Sequence, residues 1–184
     1  MDPFDFTQRL LPGEKIMWSG QPAQGLMLTG RDWLLIPFSL LWGGFAVFWE
    51  STVIATPAPI FMRLWGVPFV LVGLYLIVGR FAFDAWIRRG MAYAVTNKRI
   101  LIARSAPFAR FTAMSLDQIP DANLSERPDG RGTIRFGQES PAWGGRRGGF
   151  SSWTPALDPT PQFIGIENAR SVFDQIQRSA LPSS

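Results

Sequence analysis

The 184-residue chain contains no cysteine and no histidine, and only 17% of its residues are charged. Without cysteine it has no disulfide, no thiolate nucleophile and no metal centre built on sulfur. Without histidine it lacks the usual general base and the commonest metal ligand. Soluble domains carry about 25% charged residues, so the low charge indicates a chain in contact with lipid. We therefore expect a protein that is not an enzyme and that holds no cofactor or metal.

Two uncharged runs are long enough to approach a membrane span. They cover residues 33–49 and 64–79. A spanning helix needs about 17 to 25 mainly apolar residues, and the second run reaches that length if Arg80 extends its guanidinium to the headgroups. The sequence thus predicts two transmembrane helices within residues 33–86, joined by a loop over about 50–63. Two buried helices in a soluble core are the alternative.

The orientation of this predicted hairpin follows from its short loop and from the distribution of arginine. A short loop places both chain ends on one side of the membrane. The loop contains only Arg63 as a basic residue, whereas residues 80–184 contain 14 basic and 9 acidic residues. By the positive-inside rule, both termini are expected in the cytoplasm. Indole rings favour the membrane interface, and four tryptophans lie near the span ends: Trp33, Trp49, Trp65 and Trp86.

Glycines inside the predicted spans allow the two helices to approach each other closely. Gly66 and Gly73 lie two helical turns apart and therefore on one helix face. This face serves either the packing of the hairpin or contact with another membrane protein. No ionisable residue lies in the middle of either predicted span, which argues against an ion path or a transporter site.

Residues 1–32 are predicted to form a cytosolic N-terminal segment, and residues 88–181 a cytosolic domain. Period-two patterns predict antiparallel strands followed by one amphipathic helix. The strands cover residues 91–96, 99–105, 110–116, 121–126, 132–137 and 163–166, and the helix follows Asn168. The Gly-, Pro- and Ser-rich stretch of about 138–161 is predicted as a flexible loop, with an anion contact at Arg146 and Arg147 as the alternative. The pattern describes a small α+β domain in which the helix closes a curved antiparallel sheet.

The string YAVTNKRILI at residues 93–102 follows two apolar runs and an N-terminal LLPGEKIMWSGQP at residues 10–22. This layout resembles the bacterial membrane-anchored pleckstrin-homology-like (PH) proteins, in which a hairpin of the pattern Y-x-[VL]-T-[ND]-x-R-[IV] opens the domain. The matching residues are Tyr93, Val95, Thr96, Asn97, Arg99 and Ile100. The resemblance implies a PH-like roll, with a seven-stranded sheet closed by a C-terminal helix. Turn chemistry also explains Thr96, Asn97 and Arg99.

These features predict a non-enzymatic integral-membrane protein that presents a PH-like domain at the cytoplasmic face of the bacterial inner membrane. The domain would bind a protein or an anionic lipid, and would act alone, as a homo-oligomer or as an accessory subunit of a membrane complex. Membrane topology explains the positive charge, so we expect no nucleic-acid partner. The basic residues expected to contact headgroups or a partner are Arg80, Arg88, Arg89, Lys98, Arg99, Arg146 and Arg147.

Two other classes of function remain open at this point. A magnesium-dependent membrane enzyme would use carboxylates, and four lie close together in the chain: Asp117, Asp121, Glu126 and Asp129. Their spacing is not that of an EF-hand, and solvated strand ends explain them more simply. A channel or transporter component would need several copies of the two helices to enclose a pore.

Overall fold

The structure, a computed structural model, describes residues 5–30, 32–107, 109–119, 122–137 and 154–180. The chain forms two compact units. One unit combines the N-terminal residues up to Gly25 with the residues from Asp84 onward, and the other contains Leu26–Phe83. The second unit is therefore an insertion in the first. The predicted boundaries separated the N-terminal segment from the C-terminal domain, whereas the structure joins them in one unit.

The inserted unit is built from two long helices. Helix α1 covers Asp32–Ala55, and the second helix runs from Ile60 to Arg89 without a break. The second helix consists of α2 (Ile60–Leu74), a π-helical turn (Tyr75–Gly79) and α3 (Arg80–Arg89). By length and composition, both long helices are candidate membrane spans.

The connection between the two helices covers residues 56–59, so it is shorter than the predicted loop of about 50–63. The prediction ended the spans at Glu50 and Arg63 because both are charged. The helices continue through these residues, since a charged side chain does not interrupt backbone hydrogen bonding. The second helix begins directly after Pro59, its N-cap residue. The connection contains Pro57 and Pro59, but proline alone does not end these helices, since Pro37 and Pro68 lie inside them.

The other unit contains a four-stranded antiparallel sheet in the order β1–β2–β3–β4. The strands are β1 (Ile16–Gly20), β2 (Met91–Thr96), β3 (Arg99–Arg104) and β4 (Arg110–Ser115). The sequence did not predict β1, because this short strand is separated from its partner β2 by the whole insertion. The hairpin of β2 and β3 is consequently the second connection of the sheet, and the expectation that it opens the domain was wrong.

A second antiparallel sheet and a C-terminal helix complete this unit. The sheet has the order β5–β6–β7. Its strands are β5 (Ala122–Glu126), β6 (Gly132–Phe136) and β7 (Gln162–Ile166), and α4 (Ala169–Ala180) follows them. In the described parts of the chain, seven antiparallel strands and a C-terminal helix thus fit a PH-like fold.

Side chains cover both faces of the four-stranded sheet. On one face Tyr93 stacks on Phe163 of β7, with ring centroids 4.7 Å apart, and Phe136 meets Phe163 edge-on at 5.1 Å. The Tyr93 hydroxyl accepts a hydrogen bond from the backbone N–H of Ile164 at 3.2 Å. Burial raises the pKa of this hydroxyl above its usual value. On the other face, Phe6 packs into a cluster of alanine and leucine side chains from β2 and β3.

Candidate functional site

A buried ion pair joins the two helices of the inserted unit at one end. Arg80 Nη2 lies 2.9 Å from Asp32 Oδ1, and the two side chains are only 2% and 8% exposed. The Arg80 guanidinium also lies over the ring of Phe81, 4.4 Å from its centroid. Asp32 accepts further hydrogen bonds from the backbone and the hydroxyl of Thr29. Arg80 was expected to extend to lipid headgroups, but the structure buries its guanidinium against a partner that the sequence did not predict.

The far end of the same unit holds a second charged group. Glu50 is buried, and a Cβ atom on Gly66 would overlap its carboxylate. Arg63 Nη2 donates to the carbonyl of Thr56 in the connection at 3.1 Å. From Asp32 to Glu50, helix α1 rises by roughly 27 Å at about 1.5 Å per residue. Charged side chains therefore lie at both ends of an apolar band that is roughly 27 Å long.

Two glycines bring the helices together inside this apolar band. The Cα of Gly43 would lie 2.8 Å from a Cβ atom on Gly73, a distance that real Cβ atoms do not show. Gly73 and Gly66 are both buried against α1. The predicted face of small residues therefore serves the packing of the two helices with each other, which was the first of the two alternatives.

The four predicted interface tryptophans differ in exposure. Trp33 is 88% exposed, and Trp65 and Trp86 are 57% and 50% exposed. Trp49 is half-buried. Trp65 also lies against a neighbouring phenylalanine on each side, at the preceding and the following turn of α2. Three of the four indole rings are thus presented on the outside of the chain, as an interfacial role requires.

A second buried ion pair lies where the chain returns from the insertion. Arg88 Nε lies 2.7 Å from Asp84 Oδ2. The other two nitrogens of Arg88 donate to the carbonyls of Ala23 and Gly25. The second oxygen of Asp84 accepts the backbone N–H of Ala156 at 3.0 Å. Arg88 was expected to contact headgroups or a partner, but it is 1% exposed and ties together the two chain segments that flank the insertion.

The matched hairpin motif holds the N-terminal segment through Glu14. Arg99 donates from Nε and Nη2 to the two oxygens of Glu14, both at 2.9 Å. The Thr96 hydroxyl donates to the same carboxylate at 2.7 Å, and the backbone N–H of Leu11 donates at 2.6 Å. The hydrogen bonds from Arg99 are the main cause that lowers the pKa of Glu14 to about 2. The positive charge of Arg99 is therefore paired with a carboxylate of the same chain.

The two turn residues of the motif bind the same segment. Asn97 Oδ1 accepts the backbone N–H of Lys15 at 2.9 Å, and Lys98 Nζ donates to the carbonyl of Pro12 at 3.0 Å. These contacts favour a structural role for the motif, in line with the turn-chemistry alternative. Lys98 and Arg99 were predicted as partner contacts, and both lie at the end of the sheet opposite to the one where the insertion leaves it.

The remaining predicted contact residues are placed in two ways. Arg89, the last residue of α3, is exposed. Arg146 and Arg147, and with them most of the predicted loop of 138–161, lie outside the described residues. Nothing structural is therefore added to the prediction of an anion contact in that loop.

The candidate carboxylates of the enzyme alternative are engaged separately. Asp117 accepts a hydrogen bond from the Ser115 hydroxyl at 2.5 Å, and Asp129 accepts the backbone N–H of Arg131 at 3.1 Å. Glu126 lies 3.6 Å from Arg170 of α4. Asp121 lies outside the described residues. Where the structure describes the chain, it shows no group of three acidic side chains that could hold a metal ion.

The comparison with family models gives one match. Residues 34–180 match the family described as Bacterial PH domain. The matched range begins two residues into α1 and therefore after β1, and it contains the rest of the two long helices and strands β2 to β7. No curated protein and no solved structure gave a significant match.

Proposed function

The chain belongs to the bacterial PH domain family, and from this premise we propose that it is a non-enzymatic membrane protein whose PH-like domain binds a protein partner at the cytoplasmic face. A PH-like domain supports an interaction module for protein or lipid. The observation that carries the rest of the proposal is the insertion of two long apolar helices into the connection between β1 and β2.

The exposure of the two helices supports a membrane location. They are 24 and 30 residues long, and only 22% and 11% of their most apolar stretches are buried. A helix from the core of a soluble protein would be mostly buried, whereas these helices expose leucine, phenylalanine and tryptophan along most of their length. Such a surface is unfavourable in water. The apolar band of roughly 27 Å also agrees with a bilayer core of about 30 Å.

The strand pairing supports one orientation for the insertion. Strands β1 and β2 are antiparallel neighbours, so the chain leaves β1 and enters β2 at the same end of the sheet. Both ends of the inserted unit then connect to one side, as a hairpin requires. The excess of arginine and lysine after the second helix favours the cytoplasm for that side.

For a domain that is already tethered to the membrane, a protein is a more useful binding partner than a lipid. Two membrane helices already keep the domain at the bilayer, so recognition of a lipid is not needed to bring it there. Tethering raises the effective concentration of the domain for any neighbour in the same membrane. We therefore propose an accessory or scaffolding role beside another protein.

Extraction from native membrane into polymer-bounded nanodiscs, followed by mass spectrometry of every co-purifying component, tests this proposal. We expect the chain in the membrane fraction after an alkaline wash, together with a second protein in fixed stoichiometry. Recovery of the chain in the soluble fraction would contradict the membrane location. Recovery in nanodiscs with lipid but without any stoichiometric protein would contradict the protein partner and leave the membrane location intact.

A further inference from the structure

Five aromatic rings form a continuous row on the outside of the inserted unit, which we call the aromatic ridge. Consecutive ring centroids lie 5.8 to 6.5 Å apart, within the range of about 4.5–7 Å that aromatic pairs prefer. The contact between Trp42 of α1 and Phe69 of α2 joins the two helices. All five side chains are between 38% and 67% exposed. In order along the ridge they are Phe38, Trp42, Phe69, Trp65 and Phe61.

Trp42 lies near the middle of the apolar band between Asp32 and Glu50. From Asp32 to Trp42, helix α1 rises by roughly 15 Å at about 1.5 Å per residue. Tryptophan favours the membrane interface, where its indole N–H meets water or headgroups. The middle of a bilayer offers neither. An interfacial role therefore does not explain a tryptophan at this position, and another role must be sought in its surroundings.

The indole N–H of Trp42 has no acceptor in the part of the chain that the structure describes. The ring of Trp42 contacts Phe38 at 6.5 Å and Phe69 at 6.4 Å, but its nitrogen makes no hydrogen bond to any described residue. An N–H group that is placed in hydrocarbon without an acceptor is unfavourable. The acyl chains around it carry no acceptor at this depth. A molecule that brings an oxygen acceptor to Trp42 and covers the rings would remove this cost.

These features define the chemistry of the occupant. It dissolves in the bilayer core, carries a hydrogen-bond acceptor there and presents a flat face to aromatic rings. A phospholipid keeps its oxygen atoms near the headgroups, and a membrane helix uses its backbone carbonyls in its own hydrogen bonds. An isoprenoid quinone meets all three requirements, since its planar ring carries two carbonyl oxygens and its tail is hydrocarbon. Its electron-poor ring also stacks favourably on the electron-rich indole.

We propose that the aromatic ridge binds an isoprenoid quinone, whose carbonyl oxygen accepts the indole N–H of Trp42 and whose ring lies beside Phe38 and Phe69. The inference rests on the proposed membrane location. The hydrocarbon tail would lie along Trp65 and Phe61, which continue the ridge from Phe69. The quinone is bound here as a ligand, and its oxidation state does not change.

Retention of a radiolabelled quinone by the full chain in phosphatidylcholine nanodiscs tests the site. The probe is a 1,4-benzoquinone that carries one isoprenoid unit, and empty nanodiscs measure its partition into lipid alone. We expect a saturable difference that corresponds to one quinone per chain. A benzene with the same isoprenoid tail should compete at least tenfold less well, because it has no carbonyl oxygen. Absence of a saturable difference, or equal competition by the benzene analogue, would overturn the proposal.

The variant Trp42→Phe separates the hydrogen bond from the ring contacts. It keeps an aromatic ring in the ridge but removes the N–H, and we expect it to weaken quinone binding at least fivefold. The matched control is Trp65→Phe, which removes an indole N–H elsewhere in the ridge and should change the affinity less than twofold. Phe38→Leu keeps the donor, removes one ring beside it and should weaken binding at least threefold. An unchanged affinity in Trp42→Phe, or an equal loss in Trp65→Phe, would overturn the site at Trp42.

Membrane fractionation keeps this proposal distinguishable from the proposed function. If the parent chain remains in the membrane but binds no quinone, the quinone site fails and the membrane location stands. If the parent chain binds no quinone and Trp42→Phe releases a protein that the parent retains in fixed stoichiometry, the ridge is a protein contact and the quinone site fails. If the parent chain is recovered as a soluble protein, the membrane location fails, and the quinone site fails with it.

Discussion

Gly20 at the end of β1 lies opposite Tyr93 in β2, although both apolar helices separate them in the chain. The first strand of the PH-like sheet is therefore made before the helices, and the second strand after them. Arg88 stabilises this junction, because it binds Asp84 after the insertion and two backbone carbonyls before it.

We expect replacement of Arg88 to lower the stability of the protein, because its side chain is buried. Arg88→Ala leaves Asp84 buried without its partner, which costs about 3–5 kcal/mol. Thermal unfolding in detergent should show a large decrease in Tm. The matched control is Arg89→Ala, because Arg89 is the next residue and is exposed. Equal melting temperatures for the two variants would contradict the stabilising role of Arg88 at this junction.

Replacement of Gly73 should disturb the contact between the two helices. A methyl group at this position would meet the backbone of Gly43, which can give way only if the helices separate. We expect Gly73→Ala to lower the free energy of unfolding by about 1–3 kcal/mol. Gly44→Ala is the control, since a Cβ atom there meets no other atom within 4 Å. The two variants should be compared by urea unfolding in the same detergent, and a loss in Gly44→Ala as large as that in Gly73→Ala would argue against the close contact.

Acid should weaken the contact between the N-terminal segment and the hairpin of β2 and β3. The folded pKa of Glu14 is about 2, below its value of 4.5 without these partners. Its hydrogen bonds therefore stabilise the fold fully above pH 4.5, and this stabilisation is lost as the pH falls from 4.5 towards 2. The measurement is Tm as a function of pH between 7 and about 3.

The variant Glu14→Gln assigns this pH dependence to one residue. It should melt at a lower temperature than the parent chain at neutral pH, and its Tm should decrease less between pH 4.5 and 3. Glu167→Gln, at an exposed position, should keep the parent profile. If Glu14→Gln shows the same dependence of Tm on pH as the parent chain, other carboxyl groups cause the acid sensitivity.

Much of the fold could be predicted because the patterns are local. The strands β2 and β3 alternate around a two-residue turn, and α4 has an apolar stripe at helical spacing, so each is readable within its own few residues. The two long helices were evident from their lack of charge. Their ends were misplaced because the prediction stopped at Glu50 and Arg63, although neither residue prevents a helix.

The parts that could not be predicted depend on residues far apart in the chain. Strand β1 pairs with a partner beyond the insertion, and nothing in IMWSG itself indicates that pairing. Glu14 and Arg99 meet only in the folded sheet, and the same holds for Asp32 and Arg80. A count of basic residues therefore overestimated the arginines available to a partner, because Arg80, Arg88 and Arg99 bind carboxylates of the same chain.

Labelling of single cysteines with a membrane-impermeant thiol reagent tests the central claim most directly, since the chain has no cysteine of its own. Ala58→Cys lies in the connection between the two helices, and Ser125→Cys lies at an exposed position of β5. In intact cells with a permeabilised outer envelope, we predict labelling of Ala58→Cys alone, and labelling of both after lysis. Labelling of Ser125→Cys from outside, or protection of Ala58→Cys until lysis, would contradict a membrane hairpin that holds the PH-like domain in the cytoplasm.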